Sequence, residues 1–237
     1  MTGGAGVTGW SRDDDGSYLG FSLGVGAVVE PDTSVEQDLW LSGKLRVAGV
    51  DEVGLGPLAG PVLAAACVLP AGCRPIPGVR DSKTLSHLQR ERLFVEILRQ
   101  ADSVGVGAGS VAEIEQLNVL GASRLAMRRA LTKVGSFDYV LVDGRPIPEW
   151  GLPCTAIVDG DASVYSIACA SIVAKVVRDR LMVKLARRFP CYGWERNAGY
   201  PTRDHLEALR ALGPTPFHRL SFSPVRELRT APECSCR

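Results

Sequence analysis

A chain of 237 residues with 46% hydrophobic and 22% charged side chains can fill one full core, which excludes a disordered or fibrous protein. No run approaches the roughly eighteen apolar residues of a membrane span, and no basic start leads into an apolar leader, so a cytoplasmic protein without membrane contact is expected. The net charge is only +1, yet seven acids and one base precede Lys44, leaving 26 bases against 19 acids in a body suited to a polyanionic partner.

Residues 1–43 are rich in Gly, Asp and Ser, and read as an acidic, disordered tail whose one apolar patch, 21–29, is a strand or an extra sheet edge at most. The folded domain is expected over 44–226, with a second tail at 227–237. Apolar runs at 45–53 and 61–69, separated by Gly and Pro, predict a hairpin, with 104–108 as a third strand. Between them Ser86 and Gln89 have capping-box spacing and open a helix to about Gln100. Ser110 and Glu113 repeat the signature for a helix to about Lys133, with Gly121 as a candidate break. A strand over 139–143, a Pro-rich loop through Pro153 and a strand running to Asp161 follow. A long helix over 164–188 comes next, and a last one opened by Thr202 ends at Gly213-Pro214. Strands and helices in this order predict a mixed β-sheet flanked by helices.

Seven cysteines form no C-x-x-C pair and no zinc spacing, and Cys67 and Cys169 sit inside apolar runs as small buried hydrophobes. The acids are more informative. Asp51 and Glu52 close an apolar run and precede glycines, Asp143 follows Tyr139-Val140-Leu141-Val142, and Asp161 follows Ala156-Ile157-Val158-Asp159-Gly160. Any one of them alone also reads as a turn or cap residue, and Asp143 does so about as well as it reads as a ligand. Strand ends converge at a sheet edge, however, and converging carboxylates are costly without a cation, so the set predicts a site for a hard divalent metal such as Mg²⁺ or Mn²⁺. Asp51 and Glu52 are adjacent and would point to opposite faces of a regular strand, which predicts that the strand ends or bulges at Glu52.

Gly49-Val50-Asp51-Glu52, with Gly54, Gly56-Pro57-Leu58-Ala59-Gly60-Pro61 after it, resembles the opening motif of ribonuclease HII. Further blocks match in the same order: Asp81-Ser82-Lys83-Thr84-Leu85, Val142-Asp143-Gly144, Gly160-Asp161, Ala170 to Asp179, Gly199-Tyr200-Pro201-Thr202 and His218-Arg219-x-Ser221-Phe222. The resemblance spans about 45–225. It implies an α/β ribonuclease-H-like fold with a helical C-terminal portion lying against the sheet. It also implies a monomeric endonuclease acting on RNA/DNA hybrids and on ribonucleotide-containing duplex DNA, with roles in DNA replication and repair. Asp51, Glu52, Asp143 and Asp161 match its four acids, which hold two divalent ions during catalysis. Asp159 is then a solvent-facing decoy.

Among the substrate contacts the resemblance implies are the Gly54-Leu55-Gly56 loop, Ser82, Lys83, Lys175 and Tyr200, the last stacking on the junction sugar. An ordinary half-buried tyrosine is the plainer reading of Tyr200. Leu55 stands where the family usually carries arginine, and Asn197-Ala198 where His-Lys is common. Two alternatives follow: a hybrid-cleaving ribonuclease with weakened junction recognition, or a non-catalytic hybrid binder on the same scaffold. Arg178-Asp179 reads as a structural pair, and His218 as a structural residue of the C-terminal segment.

Overall fold

In the computed structural model the backbone is described for residues 7–12, 18–23 and 30–229. Among the described residues seven strands form one sheet in the order β2-β1-β7-β6-β3-β4-β5: β1 is Val7–Arg12, β2 Tyr18–Leu23, β3 Val47–Val53, β4 Val62–Val68, β5 Ser103–Gly109, β6 Tyr139–Asp143 and β7 Cys154–Ile157. The expected hairpin and third strand are β3, β4 and β5, all antiparallel, while β3, β6 and β7 run parallel, as chains with helical crossovers do. Two helices cover opposite faces. Val111–Val134 (α3) packs on Ala48, Val50, Ala64 and Val140, and Tyr165–Arg188 (α4) packs with His87–Gln100 (α2) on Ala65, Cys67 and Leu69. Among the described residues no helix is long and apolar enough to cross a membrane.

Close approach of α3 to the edge strand β5 depends on glycine. A Cβ on Gly107 would lie 2.7 Å from Ala130 N, so the helix backbone rests directly on the strand. From α3, Arg129 Nη1 donates to Ala108 O at 2.7 Å and Lys133 Nζ to Val106 O at 2.5 Å.

Both expected capping boxes are present, at Ser86/Gln89 and Ser110/Glu113, and Thr202 accepts from His205 N at the start of the helix Arg203–Leu212. The break in α3 falls at Asn118, not Gly121. Asn118 has φ 59°, and its Oδ1 accepts from the amides of Leu120 and Gly121, so it caps the second segment, a role for which asparagine suits better than glycine's mere flexibility.

Residues 1–43 are not all tail. Ser34–Leu41 forms a helix (α1) that buries Trp40 and Glu36, and β1 extends the sheet edge beyond β7, while residues 24–29 of the apolar patch lie outside the described set. Glu36 Oε1 accepts from Ser166 N at 2.7 Å, capping α4, whose own N-cap residue Val164 offers no side-chain acceptor. Burial pushes the Glu36 carboxyl up. A Glu36→Ala protein is expected to lose about 1–3 kcal/mol of stability in urea unfolding, because it orphans a buried amide at the helix start. A loss below about 0.5 kcal/mol would show that α1 is peripheral.

The C-terminal portion is helical, but it lies against the end of α4 and the 57–61 loop rather than the sheet face. Leu58, Ala59, Met182, Tyr192, Trp194, Leu209 and Val225 form its separate core. Its last helix, Val225–Arg229, runs across the expected boundary at 226.

Candidate active site

The strand β3 delivers Asp51 and Glu52 to the sheet's open end. No bulge is needed. Pairing with β4 runs one for one through Val53↔Leu63, whereas pairing with β6 stops at Val50↔Val142, which leaves β3 open beside Asp143. Glu52 N, on that open side, bonds Asp51 Oδ1 at 2.7 Å. Both carboxylates line one cleft of about 370 Å³ together with Ser82, Lys83, Ser171, Lys175 and Tyr200.

Asp143 ends β6, and its Oδ1 accepts from Gly160 N at 2.7 Å. That bond ties it to the turn carrying Asp161. β7 stops at Ile157, so Asp161 sits not at a strand end but in a 3-10 turn, Gly160–Ala162, just before α4. Asp159 is exposed with φ 53°, as expected of the decoy.

Burial raises all four acids; the charges of the other acids raise Asp51, Glu52 and Asp143 further, and Asp81 raises Asp161. Asp51 goes well above the carboxylate range through desolvation, then the charges of Asp143, Glu52 and Asp161. Glu52 is pushed up to about 7 by burial and the Asp143 charge. Asp143 is pushed up to about 6 by burial and the Asp161 charge. Lys83 Nζ lies 3.3 Å from Asp161 Oδ2 and moderates the repulsion.

The donor chemistry fits a hard divalent cation: four carboxylates from three chain segments, partly buried, with one ammonium nearby. Among the described residues no three His, Cys, Asp or Glu side chains stand at closed metal-ligand spacing as they are. Uncompensated like charges hold carboxylates apart.

A carboxylate whose pKa is raised by folding stabilises the fold when protonated. That contribution is full below its ordinary value near 4 and is lost as pH rises through the folded value. Stability in chelator is therefore expected to fall between about pH 5 and 8, the window set by Asp143 and Glu52. Urea midpoints across that range, with and without Mg²⁺, check this, and a midpoint rising with pH in chelator would contradict it.

The remaining expected contacts divide. Ser82 is buried, with Oγ 2.9 Å from Ser171 Oγ, and Lys83 and Tyr200 reach the cleft with Tyr200 41% exposed. Lys175 lines it while held by Asp179 at 2.8 Å, and a neighbouring basic cleft of about 590 Å³ shares Lys175 and Arg90 and adds Lys184 and Arg187. Gly56 is exposed beside Tyr200, whereas Leu55 is half-buried and packs toward Val62, Ile114 and Ala122.

Arg178 and Asp179 are not a pair. Asp179 takes Lys175 and Arg90, while Arg178 is fully buried and bonds backbone carbonyls. Arg219, likewise fully buried, does the same, and nothing about an arginine in sequence marks it as interior. His218 is structural: its Nδ1 accepts from Thr215 N at 2.9 Å, and its Nε2 lies 3.1 Å from His205 Nε2, which accepts from Trp194 Nε1 at 3.1 Å. His205 then carries its proton on Nδ1 and donates to Tyr200 O at 2.8 Å.

The family model described as "Ribonuclease HII" matches residues 48–225. Ribonuclease HII of Thermosynechococcus vestitus is 56% identical over 188 residues, covering 79% of this chain and 88% of that protein. Ribonuclease HII of Synechococcus sp. is 51% identical, covering 87% and 94%. Among solved structures, the ribonuclease H2 of Pyrococcus horikoshii OT3 superimposes with a TM-score of 0.60 at 26% identity, over 77% of this chain and 96% of that one.

Proposed function

The chain belongs to the ribonuclease HII family of endonucleases that cleave the RNA strand of RNA/DNA hybrids, and from that premise we propose that it also nicks duplex DNA on the 5′ side of an embedded ribonucleotide. The products would carry 5′-phosphate and 3′-hydroxyl ends. The observation that carries the reading is the convergence of four acids: Asp51 and Glu52 line a cleft with Lys83 and Tyr200, Lys83 reaches Asp161, and Asp143, whose charge acts on Asp51 and Glu52, is tied to the turn that carries Asp161.

Asp51, Glu52, Asp143 and Asp161 would hold Mg²⁺ or Mn²⁺, with Asp51 and Asp143 as the most direct ligands. Two such ions, when bound, supply an activated water and charge relief on the scissile phosphate and the leaving oxygen. The chain does the rest. The Gly160 amide fixes Asp143, and Lys83 keeps a positive charge at the mouth of the cleft. The exposed Tyr200 ring offers a stacking face to the junction sugar beside Gly56, where the backbone lets the strand approach closely. Lys175 and Arg90 continue the positive surface toward the neighbouring basic cleft, which suits a phosphate backbone.

A second reading, favoured by Leu55 packing inward, is a hybrid-cleaving enzyme with weak junction selectivity, since no cation at that position meets phosphate. Two labelled duplexes decide it, one with a single ribonucleotide in DNA and one a continuous hybrid, each incubated with Mg²⁺ and separately with Mn²⁺. Efficient nicking of the first supports the proposal. Cutting only the hybrid selects the second reading, and cutting neither while binding both overturns the enzyme in favour of a binder.

A further inference from the structure

Two of the four acids depend on one turn. Asp161 lies within Gly160–Ala162, and the Gly160 amide holds Asp143 Oδ1 at 2.7 Å. Ser163 N and Val164 N donate back to Gly160 O at 3.1 and 2.8 Å, so the turn has a shape of its own. Its place relative to Asp51 and Glu52 is a separate matter, because those two arrive on β3. The turn runs straight into α4, and the first turn of that helix is where the two parts meet.

On one side the first turn of α4 rests on β3. A Cβ on Gly49 would overlap the Ser166 carbonyl group, and Gly49 and Asp51, two residues apart, share a face of the strand. On the other side it meets residues 32–36. Asp32 N donates to Ser163 O at 3.2 Å, Tyr165 N donates to Asp32 O at 2.9 Å, and Glu36 Oε1 accepts from Ser166 N at 2.7 Å. The first two are backbone bonds that any residue could make. Of the three, the bond from Glu36 uses a side chain, and both Glu36 and Ser166 are fully buried. A helix start leaves its first amides without intrahelical partners, and Val164 gives α4 no side-chain cap. Without Glu36, Ser166 N would be a buried donor with nothing to bond, and the helix start would have to shift to reach water. Such a shift carries the turn, and Asp161 within it, along the same hydrogen-bonded stretch.

We propose that Glu36 is a positioning residue for metal binding: by holding the first turn of α4 against β3 it sets Asp161 relative to Asp51, and through Gly160 it sets Asp143 as well. This rests on the ribonuclease reading above. It gives α1, which precedes the family-matched residues 48–225, a part in the chemistry although no residue of α1 lines the cleft. Glu36 touches neither ion nor substrate; it acts through the helix start it holds.

The test separates reach from charge. Glu36→Asp keeps the carboxylate but stands one methylene short of Ser166 N, whereas Glu36→Gln gives up the charge and keeps an oxygen at full length. The readout is the affinity of the folded, substrate-free protein for Mn²⁺, from the EPR signal of the free ion. Affinity is expected to fall about 10-fold in Glu36→Asp, the scale for a residue that stands behind a metal ligand, and to stay within about 3-fold of wild type in Glu36→Gln. A merely structural role would lower stability and leave the affinity of the folded protein alone, so an unchanged affinity in Glu36→Asp overturns the proposal. Equal weakening in Glu36→Gln overturns it too, since the charge and not the hold on Ser166 would then matter. Should Glu36→Asp not fold, hydrogen exchange of wild type replaces it. Coupling is reciprocal, so Mg²⁺ should slow exchange over 34–41 about 10-fold and leave 203–212, in the separate C-terminal core, unchanged. Equal response of the two helices, or none, overturns the proposal. A wild type that cuts no duplex and binds no Mn²⁺ would instead overturn the ribonuclease reading, a separate outcome.

Discussion

An Asp143→Asn protein is expected to lose cleavage by a factor on the order of 10³ or more, to keep hybrid binding, and to melt higher than wild type in chelator. The loss follows from removing one hard anionic donor from a site whose charge relief is worth several kcal/mol, at about 1.4 kcal/mol per decade of rate. The gain follows from the same atoms. Asp143 is repelled by Asp161, and its charge raises Asp51 and Glu52, so neutralising it relieves three neighbours. Asparagine keeps an Oδ1 to accept from Gly160 N, so the turn carrying Asp161 stays tied. About 1–2 kcal/mol at pH 8, or about 3–6 °C for a domain of this size, is the expected scale. Calorimetry beside a gel-based cleavage assay measures both. A variant that cuts normally would remove Asp143 from the site, and one that is inactive but melts lower would refute the repulsion argument.

Gly49→Ala is expected to be severely damaging for a single added methyl. Gly49 lies in β3 between buried Ala48 and Val50, facing the first turn of α4, where an added Cβ would overlap the Ser166 carbonyl group and stand 2.6 Å from Ile167 N. These are backbone atoms, so no rotamer change relieves the clash; the helix must move off the sheet. Overpacking of this kind costs about 3 kcal/mol or more when nothing can yield. The displaced helix also carries Ser171, which faces Asp51 in the cleft, so activity should fall with stability. Urea unfolding of Gly49→Ala, read against wild type at one pH, checks it. A midpoint shift equivalent to less than about 1 kcal/mol would mean that the α4 contact is looser than the structure has it.

How far the fold could be read ahead depended on whether a residue's role was local. Capping boxes at Ser86 and Ser110 declare themselves by spacing, because the bonds they make lie within three residues. The four acids were legible because each closes a β-rich run or a glycine turn. Asp161 was misplaced onto a strand since Ala156-Ile157-Val158 is apolar past the point where pairing with β6 ends at Asp143↔Ile157. Glu36 escaped entirely: a charged residue in a Gly- and Asp-rich stretch gives no sign that its partner is an amide 130 residues away. Arg178 and Arg219 escaped for the same reason, since all but one of the carbonyls they satisfy belong to a loop more than a hundred residues earlier. Leu55 was legible as a missing charge, but not as a side chain packed toward Ile114.

The strand β5 ends the sheet, and an end strand with open carbonyls is a template on which a second molecule can add a strand. Val106 and Ala108, two residues apart, offer their carbonyls on the same side, and both are already taken by Lys133 and Arg129 of the protein's own helix. An incoming chain would have to strip two cations from those oxygens before its first bond could form. The same side chains that seat α3 therefore act against intermolecular sheet growth, and with it against aggregation when the protein is concentrated.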